Sequence, residues 1–191
     1  MATKEFAKHG YNGAKVDAIA ARTSTTKRMI YYYFGGKEKL YIAVLEQEYA
    51  KIRAHEAGLQ LSLLEPEQAI RRLAEATFDY DHANPEFVRL VAIENIHHAR
   101  HLSKSAKIRR VNATIISTIK EILERGRRRG VFRAGMRAVD VHMLMSALCF
   151  FHVSNLYTFG VIFRRNFLSP QVRQTHKRLV ADFIVHLLKQ R

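Results

Sequence analysis

Apolar positions recur with helical spacing from the first turns of this chain. Val16, Ile19 and Ala20 stand at i, i+3 and i+4, on one face of a helix running to about Arg22. Thr23-Ser24-Thr25 reads as a polar turn, and a second short helix follows. Thr26 can cap it, Gly35-Gly36 ends it, and Ile30 and Phe34, four apart, share one face. That face is expected to pack inward while Lys27, Tyr31 and Tyr32 point elsewhere. Beyond Phe34 the pattern is helical almost throughout, with no strand-like alternation of useful length. A long helix begins at Lys37 or Glu38 and runs to about Leu61, and Pro66, Pro85 and Ser103 mark the next three starts. The segment 104–129 reads as one long helix, closed off by Gly126, Gly130 and Gly135, and 138–163 and 170–189 read as the last two. The expected fold is all-α, with about nine helices.

Two short helices joined by three or four polar residues match the helix-turn-helix, whose second helix supplies base contacts while the first crosses the DNA backbone. The string Tyr31-x-Tyr33-Phe34-x-x-Lys37-Glu38-x-Leu40, at fixed distance from Gly10-Tyr11 and joined by Phe6, Val16, Ile19-Ala20 and Thr26, makes the match more specific. It resembles the N-terminal domain of the TetR family of bacterial transcriptional regulators. The resemblance implies a DNA-binding domain over 1–45 and a larger helical domain over 46–191, which binds a small-molecule effector and forms a homodimer through helices at about 138–163 and 170–189. It implies a repressor released by an inducer from a pseudo-palindromic operator in double-stranded DNA. On that reading Lys27 and Arg28 reach base edges and Met29 a thymine methyl, while Tyr31, Tyr32 and Tyr33 divide between phosphates and groove. Lys15 and Lys37, near the starts of the second and fourth helices, suit phosphates, and Thr26 holds the recognition helix in shape.

Three departures from the family pattern carry physical consequences. Ser24 stands where the family has a turn glycine, which predicts strain. Ala14 stands where it has a capping threonine, a loss of about 1 kcal/mol. Glu5 stands where it prefers an apolar residue. The chain also opens in what would be the middle of the family's first helix, so the earlier turns of that helix are expected to lie outside this sequence.

Composition adds a charge of +15, but its location complicates a simple nucleic-acid reading. Residues 1–50 hold eight Lys or Arg against five acids, a net +3, whereas 100–137 hold twelve against two, a net +10. The second group falls at both ends of a helix, roughly 30 to 40 Å apart, so it cannot act at one point. It reads as solvated surface, with attraction to DNA or another anionic partner as the alternative. The single cysteine, Cys149, excludes a disulfide framework and a thiolate zinc site, and a reduced, cytoplasmic setting is the default. The chain has no Gly-rich phosphate loop, no His-Glu-x-x-His pair and no Gly-x-Ser-x-Gly elbow, so no cofactor and no enzymatic role are expected.

Two stretches suggest other classes. Val141 to Phe163 lacks Lys, Arg, Asp and Glu over 23 residues, long enough for a membrane span and for a membrane-tethered DNA-binding protein. Its six polar residues and the lack of a second span favour a buried helix shared by a pocket and a partner subunit, with no membrane involved. His97, His98 and His101 on one helix, with Glu94 a turn earlier, could serve a metal sensor or a metal-dependent helical enzyme. A ligand-recognising role fits better than coordination, and no metal is expected. By face and family position, Phe78, Phe87, Glu94, His98, Phe151, His152 and Asn155 are the candidate pocket residues, combining aromatic walls with convergent polar atoms.

Overall fold

The computed structural model describes residues 1–189. Ten α-helices and two single 3-10 turns are the regular elements of the described residues, and no strand occurs among them. Helix α1 (Ala2–Gly13) bends at Gly10, which takes φ 66°, a left-handed value that glycine adopts without strain. Helices α2 (Val16–Ala21) and α3 (Lys27–Phe34) follow, then α4 (Lys37–Ala57), α5 (Pro66–Ala83) and α6 (Pro85–Ile96). The last four are α7 (Ala106–Arg128), α8 (Ala138–Ser154), α9 (Leu156–Ile162) and α10 (Pro170–Leu188). Pro66, Pro85 and Pro170 each open a helix, where the missing N–H deprives no carbonyl of a partner. Ser169 caps α10 by accepting the Val172 N–H at 3.3 Å.

One expected helix is two. The segment 138–163 breaks at Asn155, and α8 and α9 meet at a bend of 60°. The cause is local competition for backbone groups. Asn155 Nδ2 donates to Ser154 Oγ at 2.8 Å and to the Phe151 carbonyl at 3.3 Å, and Thr158 Oγ1 donates to the Asn155 carbonyl at 2.9 Å. Among the described residues no single helix is long and apolar enough to cross a membrane, although the bent pair together has the length and composition.

The chain divides into two compact units, and the division differs from a cut at residue 45. The first comprises residues 1–51 and 84–111; the second comprises 52–83 and the chain from Asn112 onward. Helix α6 packs on α1, and Leu90 and Ile108 lie in one core with Phe6, Val16, Ile19, Ile30, Tyr41 and Leu45. An apolar stripe shows which face of α6 is buried, not which neighbour buries it, so the sequence pattern did not reveal this join. In the second unit α5 lies against α8 and α10, with Ile70, Leu73, Ile119, Ile122, Ile184 and Leu188 in the core. Gly126 lets Phe132 fold back onto the end of α7, because a Cβ there would lie 2.0 Å from the Phe132 ring.

The basic segment is largely engaged in holding turns. Arg125 donates to the carbonyls of Leu61, Ser62 and Leu64, Arg127 to that of Met136, and Arg129 pairs with Glu65. Lys104 meets Glu38 at 2.5 Å and Lys107 meets Glu46 at 3.5 Å. These contacts support the surface reading over a concentrated anion site.

Candidate nucleic-acid interface and ligand cavity

Helices α2 and α3 pack together over Ile30, the one buried residue of α3. Thr26 caps α3 as expected, its side-chain oxygen accepting the Met29 N–H at 3.2 Å, and Gly35 ends it at φ 73°. Phe34 does not turn inward. It is 40% exposed, because Gly35 redirects the chain and Leu40, Tyr41 and Val44 of α4 fill the core instead. What remains outward is a dense set of large side chains. Arg28, Met29, Tyr31, Tyr32 and Tyr33 are all exposed, and the rings of Tyr32 and Tyr33 meet edge to face at 5.4 Å. Tyr32 is 79% exposed, a position that packing within this chain does not explain.

The charges around α3 are partly committed to neighbours, which the sequence did not show. Lys27 Nζ lies 3.0 Å from Asp17 on α2, and that hydrogen bond and charge raise the ammonium above its usual range. Lys37 Nζ donates to the Asn12 carbonyl at 3.1 Å and stands over the Tyr11 ring at 5.0 Å. Lys15 is exposed at the start of α2. Glu5 explains how α2 begins without a local cap. Its carboxylate, 4% exposed, accepts the Lys15 N–H at 3.1 Å and a hydrogen bond from Arg22 Nη1 at 3.1 Å. A residue on α1 thus holds the first turn of α2, and a negative charge at a helix N-terminus is favourable in itself. Ser24 takes φ 50°, the left-handed conformation that a glycine would adopt freely.

In the second unit, α8, α9 and α10 surround an open cavity of about 600 Å³. Phe151, His152 and Asn155 line it, with Phe159, Phe163 and His176. Phe78 stands behind this wall, its ring centroid 4.4 Å from that of His82 and 4.9 Å from that of His152. Four of the seven expected pocket residues are therefore together. The other three are not at the cavity, since all lie in the first unit. Phe87 packs edge to face on Tyr49 at 5.4 Å. Glu94, 2% exposed, spends both carboxylate oxygens on the turn after α6, accepting the backbone N–H groups of His101 and Leu102 and a hydrogen bond from His101 Nδ1 at 3.0 Å. His98 lies in that turn with φ 54°. The helix expected to carry three histidines ends at Ile96, and no group of three or more His, Cys, Asp or Glu among the described residues is placed to hold a metal. Phe159, Phe163 and His176 line the cavity without having been expected there, and His82 stands behind the wall, its Nε2 3.1 Å from His152 Nδ1. The sequence signal for three of these is the i, i+4 pairing of Phe78 with His82 and of Phe159 with Phe163; His176 has none.

A model of the N-terminal domain of bacterial regulatory proteins of the tetR family matches residues 1–44, and one of the tetracyclin repressor-like C-terminal domain matches 66–184. The chain belongs to the tetR family. Among relatives, the HTH-type transcriptional repressor NicS of Pseudomonas putida is 34% identical over 189 residues, covering 99% of this chain and 89% of its own. Among solved structures, SCO4942 of Streptomyces coelicolor superposes with a TM-score of 0.72 at 25% identity, over 98% of this chain and 93% of the other. AibR, solved in complex with isovaleryl coenzyme A and operator DNA, shares the fold with a TM-score of 0.67 at 16% identity, over 98% and 94%. For this tetR-family member, the N-terminal match contains α2 and α3, and the C-terminal match contains the wall residues Phe151 to His176.

The second unit of this tetR-family chain also buries a charged cluster. Arg53 lies 3.0 Å from Glu56 and 3.2 Å from His142 Nε2, and His142 Nδ1 is 2.9 Å from Ser146 Oγ. Burial lifts Glu56 to about 7 despite Arg53, and burial lifts Asp81 to about 7 as well.

Proposed function

We propose that this chain is a homodimeric transcriptional repressor of the cytoplasm that reads a pseudo-palindromic operator with one α3 per half-site and leaves it when a small-molecule effector binds. The observation that carries the reading is the outward face of α3. Seven large or basic side chains stand exposed on an eight-residue helix held by one buried residue, inside a segment matched by the tetR-family model. In the reading, Arg28 and Met29 meet base edges, with Lys27 joining them when it exchanges Asp17 for the groove. The tyrosines and Lys15 take phosphates, and Lys37 positions α1 against the start of α4 as well as facing the backbone. The N-terminal DNA-binding role is assigned to the first unit, and ligand binding and dimerisation to the second.

Dimerisation through α8 and α10 is supported by apolar side chains on their outer faces. Met143 is 64% exposed and Phe183 54%, with Leu179 one turn before Phe183, whereas Ile184 and Leu188 of the same helix are in the core. Large apolar side chains left exposed on both helices suit burial against a partner surface. Helices α4 and α7 each begin in the first unit and end in the second. A ligand that alters the second unit can therefore act on the first through continuous helix, and the coupling is reciprocal: DNA weakens effector binding by the factor by which effector weakens DNA binding. No catalytic step belongs to this account.

Selection from a random duplex pool tests it. The expected product is an inverted repeat with half-sites about one helical turn apart, or a multiple of that, bound by an even number of chains. Enrichment of no sequence, or of a single half-site bound by one chain, overturns it.

A further inference from the structure

The cavity in the second unit is apolar except for one permanent charge. Leu148, Phe151, Phe159, Phe163 and Leu179 give it hydrocarbon walls, none of the lining residues is acidic, and Arg165 is the lining cation. The way α9 ends delivers Arg165 there. Arg164 takes φ 49°, and the Arg165 N–H donates to the Gly160 carbonyl at 3.1 Å, the closure of a helix by a left-handed residue. Gly160 leaves room for the turn, since a Cβ there would lie 3.3 Å from the Arg165 carbonyl oxygen. The guanidinium stands 5.5 Å from the centroid of the Phe167 ring, a contact that holds it beside the aromatic wall without cancelling its charge. Among the described residues no carboxylate pairs with Arg165, and Asp79 is already met by Arg173 at 2.9 Å and Lys177 at 2.8 Å. The charge is felt inside the cavity, where burial, then Arg165, lower the lining imidazole of His176. Burial, then His82, push His152 down to about 4, so both lining imidazoles are neutral near pH 7.

An apolar wall with a single uncompensated cation is complementary to an apolar molecule with a single negative charge. A guanidinium presents two parallel N–H groups to the two oxygens of a carboxylate. A phosphate monoester brings nearly two charges, for which the wall holds no second cation. A cationic ligand meets repulsion, and a neutral one gains only the walls. The volume of about 600 Å³ suits a small organic molecule. We propose that this cavity takes an apolar monocarboxylate, its hydrocarbon body against Phe151, Phe159 and Phe163 and its carboxylate on Arg165, and that such acids are the effector class of the repressor. The effector role rests on the repressor reading; the binding selectivity does not. Arg165 is exposed, so water weakens the pair, and the carboxylate gains roughly threefold to tenfold in affinity over a neutral group of the same shape.

The test uses the full chain and three probes that share one body: phenylacetate, phenylacetamide and phenethylamine, whose ends are negative, neutral and positive near pH 7. Titration calorimetry is expected to show the acid binding at least threefold more tightly than the amide, and the amine most weakly, with the gap narrowing as salt is raised. Arg165→Gln is expected to close the gap between acid and amide while leaving the amide's affinity unchanged, and Arg165→Lys to keep part of it. Arg164→Gln, which changes an exposed arginine outside the wall, is expected to leave the series as it stands. Equal affinity for acid and amide, an undiminished gap in Arg165→Gln, the same loss in Arg164→Gln, or binding of none of the three overturns the selectivity. An acid that binds as expected but leaves an enriched duplex bound overturns the effector role. Failure to enrich any duplex overturns the repressor reading instead, and leaves the probe series to decide the cavity by itself.

Discussion

Removing the Glu5 carboxylate tests whether α1 caps α2 across space. In Glu5→Ala the Lys15 N–H loses its acceptor at 3.1 Å, and α2 has no other side-chain cap at its start. Loss of a helix cap costs about 1 kcal/mol. Arg22, whose side chain is 55% exposed, turns to water, so its share is small, on the order of 0.5 kcal/mol. The carboxylate is buried and replaced by a methyl group, and the void adds roughly another 1 kcal/mol. The sum is about 2 to 3 kcal/mol, a fall in melting temperature of roughly 4 to 12 °C for a cooperative unit of this size. Glu5→Gln keeps one oxygen acceptor and should lose about half as much. The assay is urea denaturation followed by circular dichroism, with tyrosine fluorescence as a second probe. The reasoning fails if Glu5→Ala stays within about 0.5 kcal/mol of wild type, since surface substitutions without a structural role fall in that range.

Four further outcomes follow from the geometry. Gly126→Ala drives a Cβ to within 2.0 Å of the Phe132 ring and should cost about 1 to 3 kcal/mol in denaturant, while adding Phe132→Ala should remove most of the extra penalty in a double-mutant cycle. Glu56 and Asp81 hold their protons to about 7 in the folded chain, where the unfolded chain has already released them. Their contribution is complete below the ordinary carboxylate range and disappears as pH rises through 7, so Glu56→Gln should flatten that decline by roughly 3 kcal/mol between pH 4 and 8, and parallel profiles for the two proteins would count against it. Asp17→Asn frees Lys27 and should strengthen binding to random DNA and steepen its salt dependence; an unchanged slope would show that Lys27 does not face the backbone in any complex. Ser24→Gly relieves the φ of 50° and should stabilise by up to about 1 kcal/mol by thermal melting, whereas a loss would show that the turn is unstrained.

The all-α fold and the helix-turn-helix were legible because they rest on local signals: caps, glycines, prolines and spacing four apart. Thr26, Ile30 and Gly35 act in the structure as the pattern says. What depended on through-space partners was not legible. Glu5 looked like an anomaly in an apolar position, yet it takes the cap that Ala14 cannot supply, ten residues away from the amide it binds. Phe34 followed the same spacing rule as Ile30 but lies past the edge of the core. Glu94 and His98 shared a neighbourhood with polar residues that suggested a pocket, whereas Glu94 spends its carboxylate on a turn within its own unit. His152 was nominated by face, but its partners His82 and His176 come from other helices, 70 positions earlier and 24 later, and no spacing rule reaches that far.

The most direct test of the central claim separates base reading from charge. Fluorescence anisotropy would measure wild type, Arg28→Ala and Lys37→Ala against the duplex enriched from a random pool and against a random duplex, across a range of salt concentrations. The account predicts that Arg28→Ala loses about 1 to 3 kcal/mol on the enriched duplex and little on the random one, while Lys37→Ala loses comparably on both and shows a shallower salt slope. Equal losses on both duplexes for Arg28→Ala would contradict the assignment of α3 as the helix that reads DNA sequence.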